Sequence, residues 1–260
     1  MLAVTDADHT NLHIAVTAKL LNPEVMVIAR AENEETRDNM ASFGTDHIIN
    51  PYETFAGGFL LAIEAPNAHR LYAWMSSRRE LPEGSERLPR QGCWIICGFS
   101  ALGRALYERF SEFGLRTVIV DPEEPRELPA SQPFVAGKGT EAATLQEAGI
   151  AGDGVAGVIA ATDDDTDNLS IAVTARELVP TLYVVARQNH ATNRHIFAAA
   201  KVDMVMESNR VIALRMLRLL ATPMLPQFLH LIRGRDEQWL GTLVERWGHV
   251  SARPPRCCGA

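Results

Sequence analysis

"WIICGFSALG", Trp94 to Gly103, is the stretch on which the fold turns. Apolar residues run into Gly98, and a second glycine, Gly103, follows with Ser100 between them. Two loops share this outline. In a G-x-S-x-G nucleophile elbow, Ser100 would sit exposed on a sharp strand-to-helix turn, and a glycine must stand two residues after it. Leu102 occupies that place, and no matched histidine and acid follow in order. The hydrolase reading is discarded, and no catalytic residue is assigned. In a G-x-G-x-x-G loop, the first glycine makes the turn, the middle one admits a pyrophosphate and the last lets helix and strand pack closely. Gly98 and Gly103 fit the outer positions, and Ser100 takes the middle one. Asp121 closes the next apolar strand, "RTVIVD", where an acid reaches ribose hydroxyls. Strand, loop, helix, strand and terminal acid in this order predict an α/β, doubly wound Rossmann-like sheet.

Working outward, an internal repeat appears. "AVTDADHTNLHIAVTAKLLNPEVMVIAR" (Ala3–Arg30) aligns without a gap to "AATDDDTDNLSIAVTARELVPTLYVVAR" (Ala160–Arg187), at an offset of 157 residues. From Ala3 to Arg37, 17 of 35 positions are identical, and Asp46 matches Asp203 further on. Each repeat reads as a strand ending in Thr-Asp (Thr5-Asp6, Thr162-Asp163), then an acidic turn and a helix closed by Pro23 or Pro180. A β-branched strand ending in Arg30 or Arg187, another helix and a short strand follow. Strands alternating with helices make parallel βαβ units. Residues 92–210 then supply six strands and a complete domain. The first repeat begins inside what corresponds to the fourth strand. It is expected to be a half-copy, and the chain a fragment or one with a misassigned start.

The expected division is a partial domain at 1–76, a linker at 77–91, a complete domain at 92–220 and a helical tail at 221–260. In the complete domain, Leu106, Phe110 and Phe113 are expected on one apolar helix face. "APNAHRLYAWM" predicts a helix with Pro66 in its first turn. "NRVIALRMLRLLATP", "LPQFLHLIRG" and "EQWLGTLVERW" predict further helices.

Bulk properties narrow the function. A net charge of -7 argues against general nucleic-acid binding, which needs cationic surface. No apolar run approaches the roughly 18 residues of a membrane span, and no signal peptide is visible, so a cytoplasmic location is expected. Cys93 and Cys97 read as small buried hydrophobes. No Cys/His set has zinc spacing, and the His9/His13 pair is replaced by Thr166 and Ser170 in the second repeat. The "TDDDTDN" turn lacks the glycine and glutamate of a calcium loop, and reads as helix capping.

These motifs together resemble the RCK/TrkA-N domain, a ligand-binding regulator of potassium channels and of Trk/Ktr-type potassium uptake systems. "CGFSALG" is similar to that family's "CGYGRFG" loop, and "VIVD" to its second strand. "AGKGTEAATLQEAGI" and "VIAATDDDTDNLSIAVTARELVPTLYVVAR" are similar to its later segments. Residues 1–65 resemble only the back half of the same domain. The resemblance implies a cofactor-binding set of Gly98, Phe99, Ser100, Ala101, Leu102, Gly103, Asp121, Gly139, Thr140, Thr162, Asp163 and Arg187. It implies NAD(H) as ligand, with ATP or ADP as the alternative. It also implies pairing into a homodimer or larger ring, partly through Val211–Leu220, and a membrane channel or transporter pore as partner. Three positions depart from the family pattern: Ser100 replaces a glycine, Ala101 an arginine and Lys138 an acid. Two other functions share such a fold. One is the regulatory domain of a cation/proton antiporter, the other a soluble NAD-dependent oxidoreductase. Against the latter, no substrate domain or acid/base pair is evident.

Overall fold

The computed structural model describes residues 1–77, 87–221 and 236–251. By contact density these divide into two compact units, 1–57 with 91–216, and 58–90 with 217–260.

The first unit holds two parallel sheets. The larger has six strands: β4 (Cys93–Cys97), β5 (Thr117–Asp121), β6 (Phe134–Ala136), β7 (Val155–Ala160), β8 (Tyr183–Gln188) and β9 (Met204–Glu207). Their spatial order, β6-β5-β4-β7-β8-β9, is the doubly wound order with its reversal between β4 and β7. Its strands are apolar on both faces, as a sheet covered on both sides requires. Ile95, Cys97, Val158 and Ala160 face one layer with Leu145, Ile171 and Phe197. On β4, alternation turns Trp94 and Ile96 to the other layer. There the fully buried Trp94 ring meets Phe110 at 6.2 Å and Tyr183 edge-on at 5.9 Å.

Helix α5 (Ala101–Glu112) buries Leu102, Gly103, Leu106 and Phe110. Phe113 is its C-cap and stands exposed, so the expected apolar stripe ends one turn early. Helices α6 (Ala142–Glu147), α7 (Asp165–Leu178) and α8 (Arg194–Ala199) complete the crossovers.

The smaller sheet comprises β1 (Leu2–Ala3), β2 (Ile28–Arg30) and β3 (His47–Ile49), with α1 (Asp8–Leu21) and α2 (Glu34–Ser42) between them. It repeats β7-β8-β9 residue for residue: Leu2 pairs with Ile28 as Ile159 pairs with Val185, and Ile28 with His47 as Val185 with Met204. The polar framework repeats too. Buried Asn11 bridges Thr5 to the Arg30 carbonyl, as buried Asn168 bridges Thr162 to the Arg187 carbonyl. Asp46 accepts from the Val27 N–H and pairs with Lys19; Asp203 accepts from the Val184 N–H and pairs with Arg176. The Lys19 hydrogen bond, with the Val27 N–H, holds the Asp46 carboxyl below its ordinary range.

Both Thr-Asp pairs lie just beyond their strands, since β1 ends at Ala3 and β7 at Ala160. The acidic turn caps as expected in the second repeat, where Asp164 accepts from the Thr166 and Asp167 N–H groups. In the first repeat Ala7 takes that place without a side-chain bond. Helix α3 (Pro51–Glu64), passed over in the sequence, follows β3.

In the second unit, α4 (Pro66–Ser77) and α10 (Glu237–Ser251) meet around Ala68, Leu71 and Leu240. Helix α9 (Ser208–Ala221) carries Arg218, whose guanidinium donates to the Tyr72 hydroxyl at 2.6 Å and lies 4.3 Å from its ring centre. "LPQFLHLIRG" and most of the expected linker lie outside the described residues.

Candidate functional site

A cleft of about 360 Å³ opens at the carboxyl end of the larger sheet, at the reversal between β4 and β7. The sequence makes this cleft by two glycines. Gly98 follows β4 with φ +95°, and a Cβ there would lie 2.9 Å from the Thr162 side chain. Gly103 lies in the first turn of α5, where a Cβ would stand 2.1 Å from the Gly98 carbonyl oxygen. Only glycine lets the helix start this close to the strand, and its N-cap residue Ser100 lines the cleft. The first N–H groups of a helix have no partners within it, and the helix dipole makes this end attractive to an anion.

Ser100 is the N-cap residue of α5, yet its hydroxyl does not cap the helix. It donates to the Ala161 carbonyl and accepts from Arg187 Nη1 at 3.2 Å. The added side chain is thus satisfied by the sheet. Asp121 closes the opposite side: one carboxylate oxygen accepts from the Phe99 N–H at 2.8 Å and the other from the Glu123 N–H at 3.1 Å. The acid is thereby fixed to the loop. The Phe99 ring lies 5.7 Å from Tyr107, with the Arg104 guanidinium 5.5 Å from its centre.

Of the twelve residues singled out in the sequence, Gly98, Phe99, Ser100, Asp121, Gly139, Thr140, Thr162 and Asp163 line the cleft. Ala101, Leu102, Gly103 and Arg187 do not. Leu102 and Gly103 are buried beneath the loop, and Ala101 is exposed at the helix start. Arg187 sits behind Ser100, with its side chain 10% exposed. It pairs with Asp163, which is otherwise open to solvent. Arg187 Nη2 donates to the Tyr52 hydroxyl at 2.8 Å, and its guanidinium lies 4.9 Å from the Tyr52 ring centre. Burial pushes the Tyr52 phenol up, while the nearby Arg187 charge pulls it partly back. Lys138 and Asp167 also line the cleft; Asp167 was hidden in a turn read as a cap. Cys97 forms part of the floor, and full burial pushes its thiol up to about 12. Among the described residues no cluster of His, Cys, Asp and Glu is suited to hold a metal ion.

The arrangement suits a ligand with a ribose at Asp121 and an anionic group at the start of α5. Phosphate would meet backbone N–H groups there, and Asp121 offers lone pairs to vicinal hydroxyls.

Comparison with known proteins bears on the family and the fold. The chain is 26% identical over 149 residues to potassium channel protein 1 of Methanocaldococcus jannaschii, covering 55% of the chain and 44% of that relative. The solved structure of GsuK bound to ADP superposes with a TM-score of 0.59 at 22% identity, over 84% of this chain and 50% of that one. The GsuK channel bound to NAD gives 0.60 at 19% identity, over 85% and 51%. At this identity the two structures speak for the fold. The chain spans about half the length of these relatives. Among its described residues no helix is long and apolar enough to cross a membrane. The TrkA-N domain family matches residues 1–51 and 94–208, which take in both sheets and the cleft, and the chain belongs to that family.

Proposed function

We propose that the cleft binds an adenine nucleotide, and that the chain is the cytoplasmic, ligand-responsive part of a potassium channel or of a Trk/Ktr-type uptake system. The observation that carries this reading is the joint placement of the α5 N-terminus, the Gly98–Gly103 turn and the loop-anchored Asp121 around one cleft. NAD(H) is the first candidate ligand, with ADP and ATP next; GsuK, whose fold this chain shares over about half of that protein's length, has been solved bound to ADP and bound to NAD. Gly98, Phe99 and Ser100 would carry the phosphates, with Ala101, Leu102 and Gly103 supplying the helix start behind them. Asp121 would hold the ribose, and Gly139 and Thr140 the adenosine side. Thr162 and Asp163 would close the cleft from across the sheet.

In this reading the chain acts in pairs or a larger ring. The exposed Leu217 and Leu220 on α9 give an apolar strip for such pairing. The partner in this reading is a membrane pore, which the similarity to a potassium channel protein supports. Occupancy acts by its different affinity for two arrangements of paired domains. No chemistry is performed on the ligand.

Thermal unfolding with NADH, NAD, ADP and ATP tests the reading. At 100 times the dissociation constant, the bound form gains about 2.7 kcal/mol. Asp121→Ala is expected to abolish the gain while leaving the chain folded. A folded chain stabilised by none of the four refutes the proposal.

A further inference from the structure

Three parts of the first unit meet on one guanidinium. Arg187 pairs with Asp163 beyond β7, donates to Ser100 in the loop and donates to Tyr52 of the first repeat. The Tyr52 side is closed, since Tyr52 is 4% exposed, whereas the Asp163 side chain is 78% exposed. Ser100 is also a wall of the cleft. An anion at the start of α5 therefore arrives beside a cation whose two cleft-side partners are exchangeable, and whose third partner belongs to another repeat.

Guanidinium is a rigid planar fork. Its Nη1, which holds Ser100 and Asp163, cannot turn toward a phosphate without moving Nη2 against Tyr52. We infer that Tyr52 is a positioning residue for the second repeat's cleft, and that through Arg187 the first repeat registers whether the cleft is filled. Arg30, at the equivalent place in the first repeat, has no such freedom: it is held by both Asp6 and Glu32. Tyr52 stands second in α3, so a shift of its ring is delivered to the start of that helix.

The inference rests on the nucleotide reading, and the experiment separates the two. ADP and NAD are titrated calorimetrically into the full chain, into Tyr52→Phe and into Tyr72→Phe. The last removes the hydroxyl of the Arg218–Tyr72 pair, which has no part in the cleft. Tyr52→Phe is expected to weaken binding about tenfold, and Tyr72→Phe to leave it unchanged. Amide hydrogen exchange at residues 52–57 is expected to slow when ADP or NAD binds the unaltered chain, and not in Arg187→Lys, which keeps the charge without the fork. This second readout decides the matter if Tyr52→Phe does not fold. Tight binding with equal affinity in Tyr52→Phe, or unchanged exchange at 52–57 on saturation, overturns the role of Tyr52 and leaves the nucleotide reading standing. Binding of neither nucleotide to the unaltered chain overturns both.

Discussion

Asn168→Ala removes the side chain that ties the edge of the cleft to the sheet. The Asn168 amide is fully buried. It donates to the Thr162 carbonyl and the Arg187 carbonyl, each at 2.9 Å, and accepts from the Thr162 N–H at 2.9 Å and the Thr162 hydroxyl at 2.8 Å. The hydroxyl has a second acceptor in the Asp164 carbonyl at 3.1 Å, so alanine leaves it partnered. The other three bonds are lost: that to the Arg187 carbonyl is buried, and those to the Thr162 backbone groups are part-buried. At about 1 kcal/mol net for each bond, the expected loss is about 3 kcal/mol, more if water does not enter. Asn168→Asp should cost at least as much, because it turns an acceptor oxygen toward two carbonyls. Urea unfolding followed by far-UV circular dichroism measures both, with the midpoint compared at unchanged slope. Asn11→Ala is the internal standard, since Asn11 makes the same four contacts to Thr5 and Arg30. A loss below about 1 kcal/mol for Asn168→Ala, or an aspartate variant as stable as the parent, would refute the claim that this network holds the cleft edge.

Gly103→Ala places a methyl group 2.1 Å from the Gly98 carbonyl oxygen, so the α5 start must retreat. A loss of about 1–3 kcal/mol is expected from overpacking, with nucleotide affinity falling by a larger factor than in Gly57→Ala, whose site has open space; equal affinity would show that the loop tolerates the retreat. Cys97 gives a pH dependence. Its folded thiol is pushed up to about 12, against about 8.5 in an unfolded chain. Its stabilising contribution is therefore complete below about pH 8.5 and is lost as pH rises toward 12. Peptide mapping after iodoacetamide at pH 8 should find Cys97 unlabelled in the folded chain and labelled in urea, and ready labelling without urea would contradict its burial.

Much of the architecture was legible because it is written locally and written twice. Glycine turn, terminal Asp121 and strand–helix alternation placed the six strands in order. The gapless alignment of the repeats extends to identical strand register, since β-sheet register follows side-chain alternation and the alternation is shared. The repeated Asp46 and Asp203 turned out to perform the same bond to a strand N–H. What escaped was what long-range packing decides. Tyr52 and Arg187 are 135 residues apart, and no spacing rule links a helix-start tyrosine to a strand-end arginine. Phe113 fits the helical period but falls on the C-cap, where the chain leaves the core. The orientation of Ser100 was also invisible, because its partners, Ala161 and Arg187, come from β7 and β8 chain ends brought beside it only by the fold.

One position of the duplicated unit bears on how duplicates diverge. Arg30 and Arg187 occupy the same place, but two residues further on stand Glu32 and Asn189. With Asp6 and Glu32 together, the first arginine is outnumbered by negative charge and serves as a rivet inside its own repeat. With Asp163 alone, and a serine and a tyrosine as neutral companions, the second is balanced and keeps room to change partners. The acid-for-amide difference, together with Ser100 and Tyr52 beside the second arginine, separates a cation fastened within its own repeat from one whose partners come from three parts of the unit.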